Sequence, residues 1–148
     1  MFSTGCRIGE VAMLNKKHID WSSKSAIVKG KRDKEREVIS IPGSDIWLER
    51  YLADRQDQDS ALFVTELCPH RISTAQIRYI IKRISKRAVF NINIHPHQFR
   101  HSYATHLLNN GAPLEVIQNL LGHEKSETTR VYAHLSGKIR RDFYNKYF

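Results

Sequence analysis

The chain has 148 residues, 41% hydrophobic and 26% charged, which suits one globular domain and excludes a disordered or fibrous chain. Lys and Arg number 24 against 15 Asp and Glu, leaving +9, a balance that favours a polyanionic partner. No run approaches the ~18 apolar residues of a membrane helix, and the start, Met1 to Arg7, does not read as an export signal. Cys6 and Cys68 lie far apart without Cys-x-x-Cys spacing, which argues against a cysteine zinc site or a disulfide framework and points to a reducing cytoplasm.

Ile8, Val11, Ala12 and Leu14 follow helical spacing almost from the first residue. No earlier element is present to cover that helix, so the chain reads as beginning mid-domain. The period then changes: 18–21, 26–30 and 37–41 are short β-rich runs separated by 22–25 and 31–34, a pattern that predicts a small antiparallel meander closed by Pro42-Gly43. Ser44 or Asp45 can cap a helix through about residue 55, with Ile46, Trp47, Tyr51 and Leu52 inward, while 61–64 is too short to assign. The clearest helix covers 73–89, where Ile77, Ile80, Ile81 and Ile84 form a stripe among Arg78, Lys82, Arg83, Lys86 and Arg87. Those cations read first as a solvated face and second as a phosphate-facing one.

A helix after Pro96 runs to Asn110 and meets Gly111, and Pro113 opens another that buries Leu114, Ile117, Leu120 and Leu121 before Gly122. Ser126 can cap a further segment holding Val131 and Tyr132, and Gly137 separates it from a basic, aromatic tail, 138–148. The fold class is therefore α+β, mainly α, with a small three-stranded antiparallel sheet near the amino terminus.

His97 and Arg100 share one helix face, with His101 beside them. A zinc reading of the His97 and His101 pair is weakened by Gln98, which stands where a His-Glu-x-x-His protease needs glutamate. With Arg7, Lys31, His123 and Tyr132, the set suits metal-free phosphoryl transfer. Arginine forks grip phosphate oxygens, histidine shuttles a proton near neutrality, lysine protonates a leaving oxygen and tyrosine attacks. Neither a Walker A loop nor an acidic metal cluster offers another route.

These boxes together carry a resemblance. The segments Thr4-Gly5-Cys6-Arg7-Ile8-Gly9-Glu10-Val11-Ala12-Met13-Leu14, His97-Gln98-Phe99-Arg100-His101-Ser102-Tyr103-Ala104-Thr105-His106-Leu107-Leu108 and Leu120-Leu121-Gly122-His123, with Thr128-Thr129-Arg130-Val131-Tyr132, resemble the successive boxes of the tyrosine recombinase (phage integrase) family, Xer-like members included. The run Gly30-Lys31-Arg32-Asp33-Lys34-Glu35-Arg36 resembles the family's lysine-bearing hairpin. The likeness extends from about Ser3 to Tyr132 with all motifs in family order.

The resemblance implies a site-specific recombinase catalytic domain, acting without metal, cofactor or ATP. Arg7 and Arg100 would clamp the scissile phosphate, His97 would assist proton removal and His123 would hydrogen-bond the phosphate. Tyr132 would attack to leave a 3′-phosphotyrosyl link, and Lys31 would protonate the 5′-oxygen. Lys29 and Lys34 compete with Lys31 for that last role, Glu10 would support the site, and Tyr132 retains the alternative of a core aromatic. Lys29, Arg32, Lys34, Arg78, Lys82 and Arg83 are further candidates for touching DNA. The partners implied are double-stranded DNA and other copies of the chain, as a tetrameric synapse in a full-length protein, with the tail 136–148 docking in trans or folding back.

The family's amino-terminal DNA-binding domain and first catalytic-domain helix are expected to be missing from this single domain, 1–148. Two other functions stay open at this point: a type IB topoisomerase-like strand transferase and a catalytically silent DNA-binding relic.

Overall fold

The computed structural model describes residues 1–30, 34–40, 42–88 and 94–122. Among the described residues, five helices and one sheet follow in chain order: α1 (Ile8–Met13), β1 (Ile19–Asp20), β2 (Ser25–Lys29), β3 (Glu35–Ile39), α2 (Ser44–Ala53), α3 (Thr74–Arg87), α4 (Pro96–Asn109) and α5 (Leu114–Leu121). A 3₁₀ turn, Lys16–His18, leads into β1. The expected mainly helical chain with a small antiparallel sheet is what forms. No described helix is long and apolar enough to cross a membrane.

The strands pair in the order β1-β2-β3, with Ala26 opposite Val38, Val28 opposite Arg36 and Lys29 opposite Glu35. Alternation by two sends Ala26, Val28 and Val38 inward, where they pack with Cys6, Leu14 and Leu62. Arg36 lies on that same inward register, two residues before Val38. A second core joins Tyr103, Ala104 and Leu108 of α4 to Ile117 and Leu121 of α5. α1 packs on β2 within the first core, and contacts of α5 with β3 link the two cores.

Several local signals act as their chemistry requires. Ser73 caps α3 by accepting from Gln76 N at 3.2 Å, while Gln76 Oε1 accepts from Ser73 N at 2.8 Å. Gly111 and Gly122 take positive φ values of +81° and +61° at helix ends. Arg71 caps the other end of α1, donating from Nη1 to Ala12 O at 3.0 Å and Leu14 O at 3.1 Å. Residues 61–64, unassigned from sequence, are held by isolated bridges, Asn15 with Ala61 and Val64 with Arg71.

Two expectations change. In α2 the inward stripe is Leu48 and Leu52, with Tyr51 tilted against Phe63 at 5.7 Å between ring centroids. Ile46 is exposed and Trp47 is 70% exposed, because a ten-residue helix presents one stripe and Ile46 lies about 200° from Leu48 around it. In α3, Ile84 is exposed and Ser85 buried. The covered line of the last turn therefore runs through Ser85, about 100° around the helix from Ile84.

Candidate active site

The site is built where the start of α1, strand β3 and the end of α5 meet. Arg7 is the residue that precedes the first turn of α1, and its backbone N–H donates to Glu10 Oε2 at 2.7 Å. That bond satisfies one of the helix's orphan amides and turns the Glu10 carboxylate back towards Arg7. The Arg7 guanidinium then donates through Nη1 to Glu10 Oε1 at 2.9 Å and through Nη2 to Gly122 O at 3.1 Å.

Arg100 arrives from α4. Its Nη1 donates to Gly5 O at 2.7 Å and its Nη2 to Leu121 O at 2.5 Å. Gly5 permits the approach: φ is +64°, and an added Cβ would stand 2.7 Å from Tyr103 Cδ1. Arg100 is only 5% exposed, whereas the Arg7 side chain keeps 35% of its surface in solvent.

A third arginine, which motif reading passed over, completes the cluster. Arg36 faces Glu10 as a bidentate fork, Nη1 to Oε1 at 2.6 Å and Nη2 to Oε2 at 2.7 Å, and its Nε donates to Leu120 O at 3.1 Å. Arg36, Arg100 and Arg7 thus donate to the carbonyls of Leu120, Leu121 and Gly122, three consecutive residues at the end of α5. Those carbonyls have no partners within the helix and form the negative end of its dipole, so cations are the fitting partners. One signal for Arg36 was available: a charged residue two before Val38 in a β-rich run points to the apolar face.

Burial alone would push the Glu10 carboxyl up, but the hydrogen bonds from Arg36 and Arg7 outweigh it and hold the group below its ordinary value. Glu10 is therefore a buried anion holding two arginines. Burial pushes the Cys6 thiol up, which fits a core residue better than a reactive one.

His97 is exposed on α4 three residues before Arg100, and His101, also exposed, directly follows Arg100. Among the described residues, no group of three or more His, Cys, Asp or Glu side chains is arranged to hold a metal ion. Lys29 and Lys34 are exposed on the hairpin, Lys29 pairing with Glu35 at 3.3 Å. Arg78, Lys82 and Arg83 are exposed on α3. Lys31, Arg32, His123 and Tyr132 lie outside the described residues, as do the segment from Ser126 and the tail 136–148. What the described geometry gathers is therefore the Arg7 and Arg100 pair, with Glu10 and Arg36 behind Arg7. Two guanidiniums thus sit on neighbouring carbonyls at the end of α5.

The phage integrase family matches this chain over residues 1–138. Tyrosine recombinase XerC of Pediococcus pentosaceus is 35% identical over 157 aligned residues, covering 100% of this chain and 52% of that protein. Tyrosine recombinase XerC of Serratia marcescens is 36% identical, covering 91% of this chain and 45% of its own length. The chain thus spans about half the length of the curated relatives it matches. Among solved structures, the XerA recombinase crystal structure superposes with a TM-score of 0.84 at 31% identity, covering 97% of this chain and 54% of that one. The XerH site-specific recombinase, in a post-cleavage complex with a palindromic difH substrate, gives 0.79 at 25% identity, covering 95% of this chain and 42% of the other.

Proposed function

The chain belongs to the phage integrase family, and on that premise we propose that it carries the catalytic residues of a site-specific DNA recombinase. The observation that carries this reading is the convergence of Arg7 and Arg100 on adjacent carbonyls, Gly122 and Leu121, at the end of one helix. One phosphate facing both forks would have its two non-bridging oxygens met by planar donors. The charge that builds on those oxygens in the five-coordinate transition state is what such fixed donors stabilise best.

In the proposed reaction the Tyr132 oxygen bonds to phosphorus as the bond from phosphorus to the 5′-oxygen breaks. The phenolic proton leaves with the help of His97, the 5′-oxygen takes a proton from Lys31, and His123 hydrogen-bonds the phosphate. A 3′-phosphotyrosyl link and a free 5′-hydroxyl result. Because one phosphodiester replaces another, attack by a different 5′-hydroxyl rejoins DNA without ATP. A phenol titrates near ~10, so cations close to Tyr132 would favour its attack at neutral pH.

The proposed partner is duplex DNA, held by the cations of the hairpin and of α3 and bound by several copies of the protein in one synapse. The substrate described for the XerH complex supports that choice. A library of duplexes, each nicked near one phosphate so that the cleaved end diffuses away, tests the proposal. A covalent protein–DNA adduct is expected, linked at Tyr132 to a 3′-phosphate and lost in Tyr132→Phe. Adducts that persist in Tyr132→Phe, or none across the library, would remove the reading.

A further inference from the structure

Resting on the recombinase reading above, we propose that Arg36 is a positioning residue for strand cleavage, aiming the Arg7 guanidinium at the scissile phosphate through Glu10 and the end of α5. Arg36 is set apart from the other charged residues of its sheet. Lys29, Glu35 and Glu37 are exposed, while the Arg36 side chain is only 12% exposed and sits on the inward register of β3. Burying a guanidinium costs free energy that its partners must offset, and those partners are the ones that also hold Arg7.

The Arg7 guanidinium has two anchors, Glu10 Oε1 and Gly122 O. Arg36 controls both. It grips the two oxygens of Glu10, fixing the carboxylate's plane, and Glu10 in turn accepts from the backbone and the side chain of Arg7. At the second anchor, Arg36 Nε holds Leu120 O, and its side chain crosses Gly122 so closely that an added Cβ would lie 3.0 Å from Arg36 Cδ. One side chain thereby references α1, β3 and α5 to each other at the residue that presents the exposed fork. Nε, Nη1 and Nη2 each donate to a protein acceptor and the side chain is far more buried than that of Arg7, so the role assigned to Arg36 is through Arg7 and not on DNA.

The test compares rates of Tyr132-dependent adduct formation on two nicked duplexes, one with an ordinary scissile phosphate and one with a methylphosphonate there. The methyl group replaces a non-bridging oxygen and removes its negative charge, so a cation aimed at that oxygen matters less. Arg36→Met and Arg36→Lys, with Arg7→Ala as the reference, are assayed at a temperature where circular dichroism shows wild-type secondary structure. Misaiming predicts a loss of about a hundredfold on the ordinary phosphate that shrinks to about tenfold or less on the methylphosphonate, in parallel with Arg7→Ala. Arg36→Lys is expected to lose activity too, because one ammonium cannot span both Glu10 oxygens and Leu120 O, and its milder change keeps the test open if Arg36→Met does not fold.

Rates within about threefold of wild type on the ordinary phosphate, or an equal loss on both substrates, would overturn the role of Arg36 and leave the recombinase reading standing. A wild-type chain that forms no Tyr132-dependent adduct would overturn both.

Discussion

Replacing Glu10 with glutamine isolates the energetics of the arginine cluster. The exchange keeps size and one acceptor oxygen, but removes the charge and turns an acceptor into an NH₂ group facing donors from Arg36 and Arg7. The Glu10 side chain is 4% exposed and Arg36 12%, so Arg36 is left as a buried cation without its anion. Breaking a buried pair in this way costs about 3–5 kcal/mol. The Arg7 pair adds little, because that side chain is 35% exposed and an exposed i,i+3 pair contributes about 0.3–0.5 kcal/mol. At ~2–4 °C per kcal/mol for a domain of this size, the melting temperature should fall by about 6–20 °C.

Thermal melts by circular dichroism at pH 7 provide the measurement, with wild type, Glu10→Gln, Arg36→Met and the double variant run together. The double variant should recover much of the loss, since it removes both charges, giving a coupling of about 2 kcal/mol or more. A Glu10→Gln melt within about 2 °C of wild type, or losses that simply add in the double variant, would refute the claim that the pair is buried and mutually dependent.

The remaining predictions concern pH, backbone and surface. Glu10 titrates below its ordinary value of 4.5, so the stability it contributes is present above that value and is lost as pH falls through the lower folded value. Wild type and Glu10→Gln should therefore differ most near neutrality and converge in acid; curves that stay parallel down to the acid limit would contradict this. Gly5→Ala combines a left-handed residue with a Cβ 2.7 Å from Tyr103 and 2.9 Å from Leu121. It should cost about 2–5 kcal/mol in urea unfolding, and a value under about 1 kcal/mol would show that the core yields there. Trp47→Ser, on an exposed face where Arg50 lies 5.3 Å over the ring, should shift stability by less than about 1 kcal/mol. A larger shift would mean that the ring is buried in solution.

Arginine has a particular use in this fold. The end of α5 is held by guanidinium groups brought from α1, β3 and α4, elements widely separated along the chain. Each fork spends some donors on a carbonyl and keeps its charge, so the group that braces the helix end can also hold a carboxylate, as Arg7 and Arg36 do with Glu10. Lysine cannot divide its role in this way, because its ammonium has no fixed geometry.

Spacing and residue type were enough to find the helices, the three-stranded meander and the Arg7 and Arg100 boxes. Periodicity is a local property, and Gly5, Gly111 and Gly122 stand where the backbone takes positive φ. The same spacing placed Ile46, Trp47 and Ile84 inward, since an apolar stripe reports what a helix can bury and not which of its faces the neighbours cover. Arg36 escaped notice because the third strand was read as starting at residue 37, one position after it. Its meaning rests on contacts with Glu10 and Leu120, 26 and 84 positions away. The sequence by itself determined the element types, the basic character and the family motifs, all written in near neighbours. Only the tertiary structure decided that Arg7, Arg36 and Arg100 meet at the end of α5, because distant side chains choose partners by proximity that chain order does not encode.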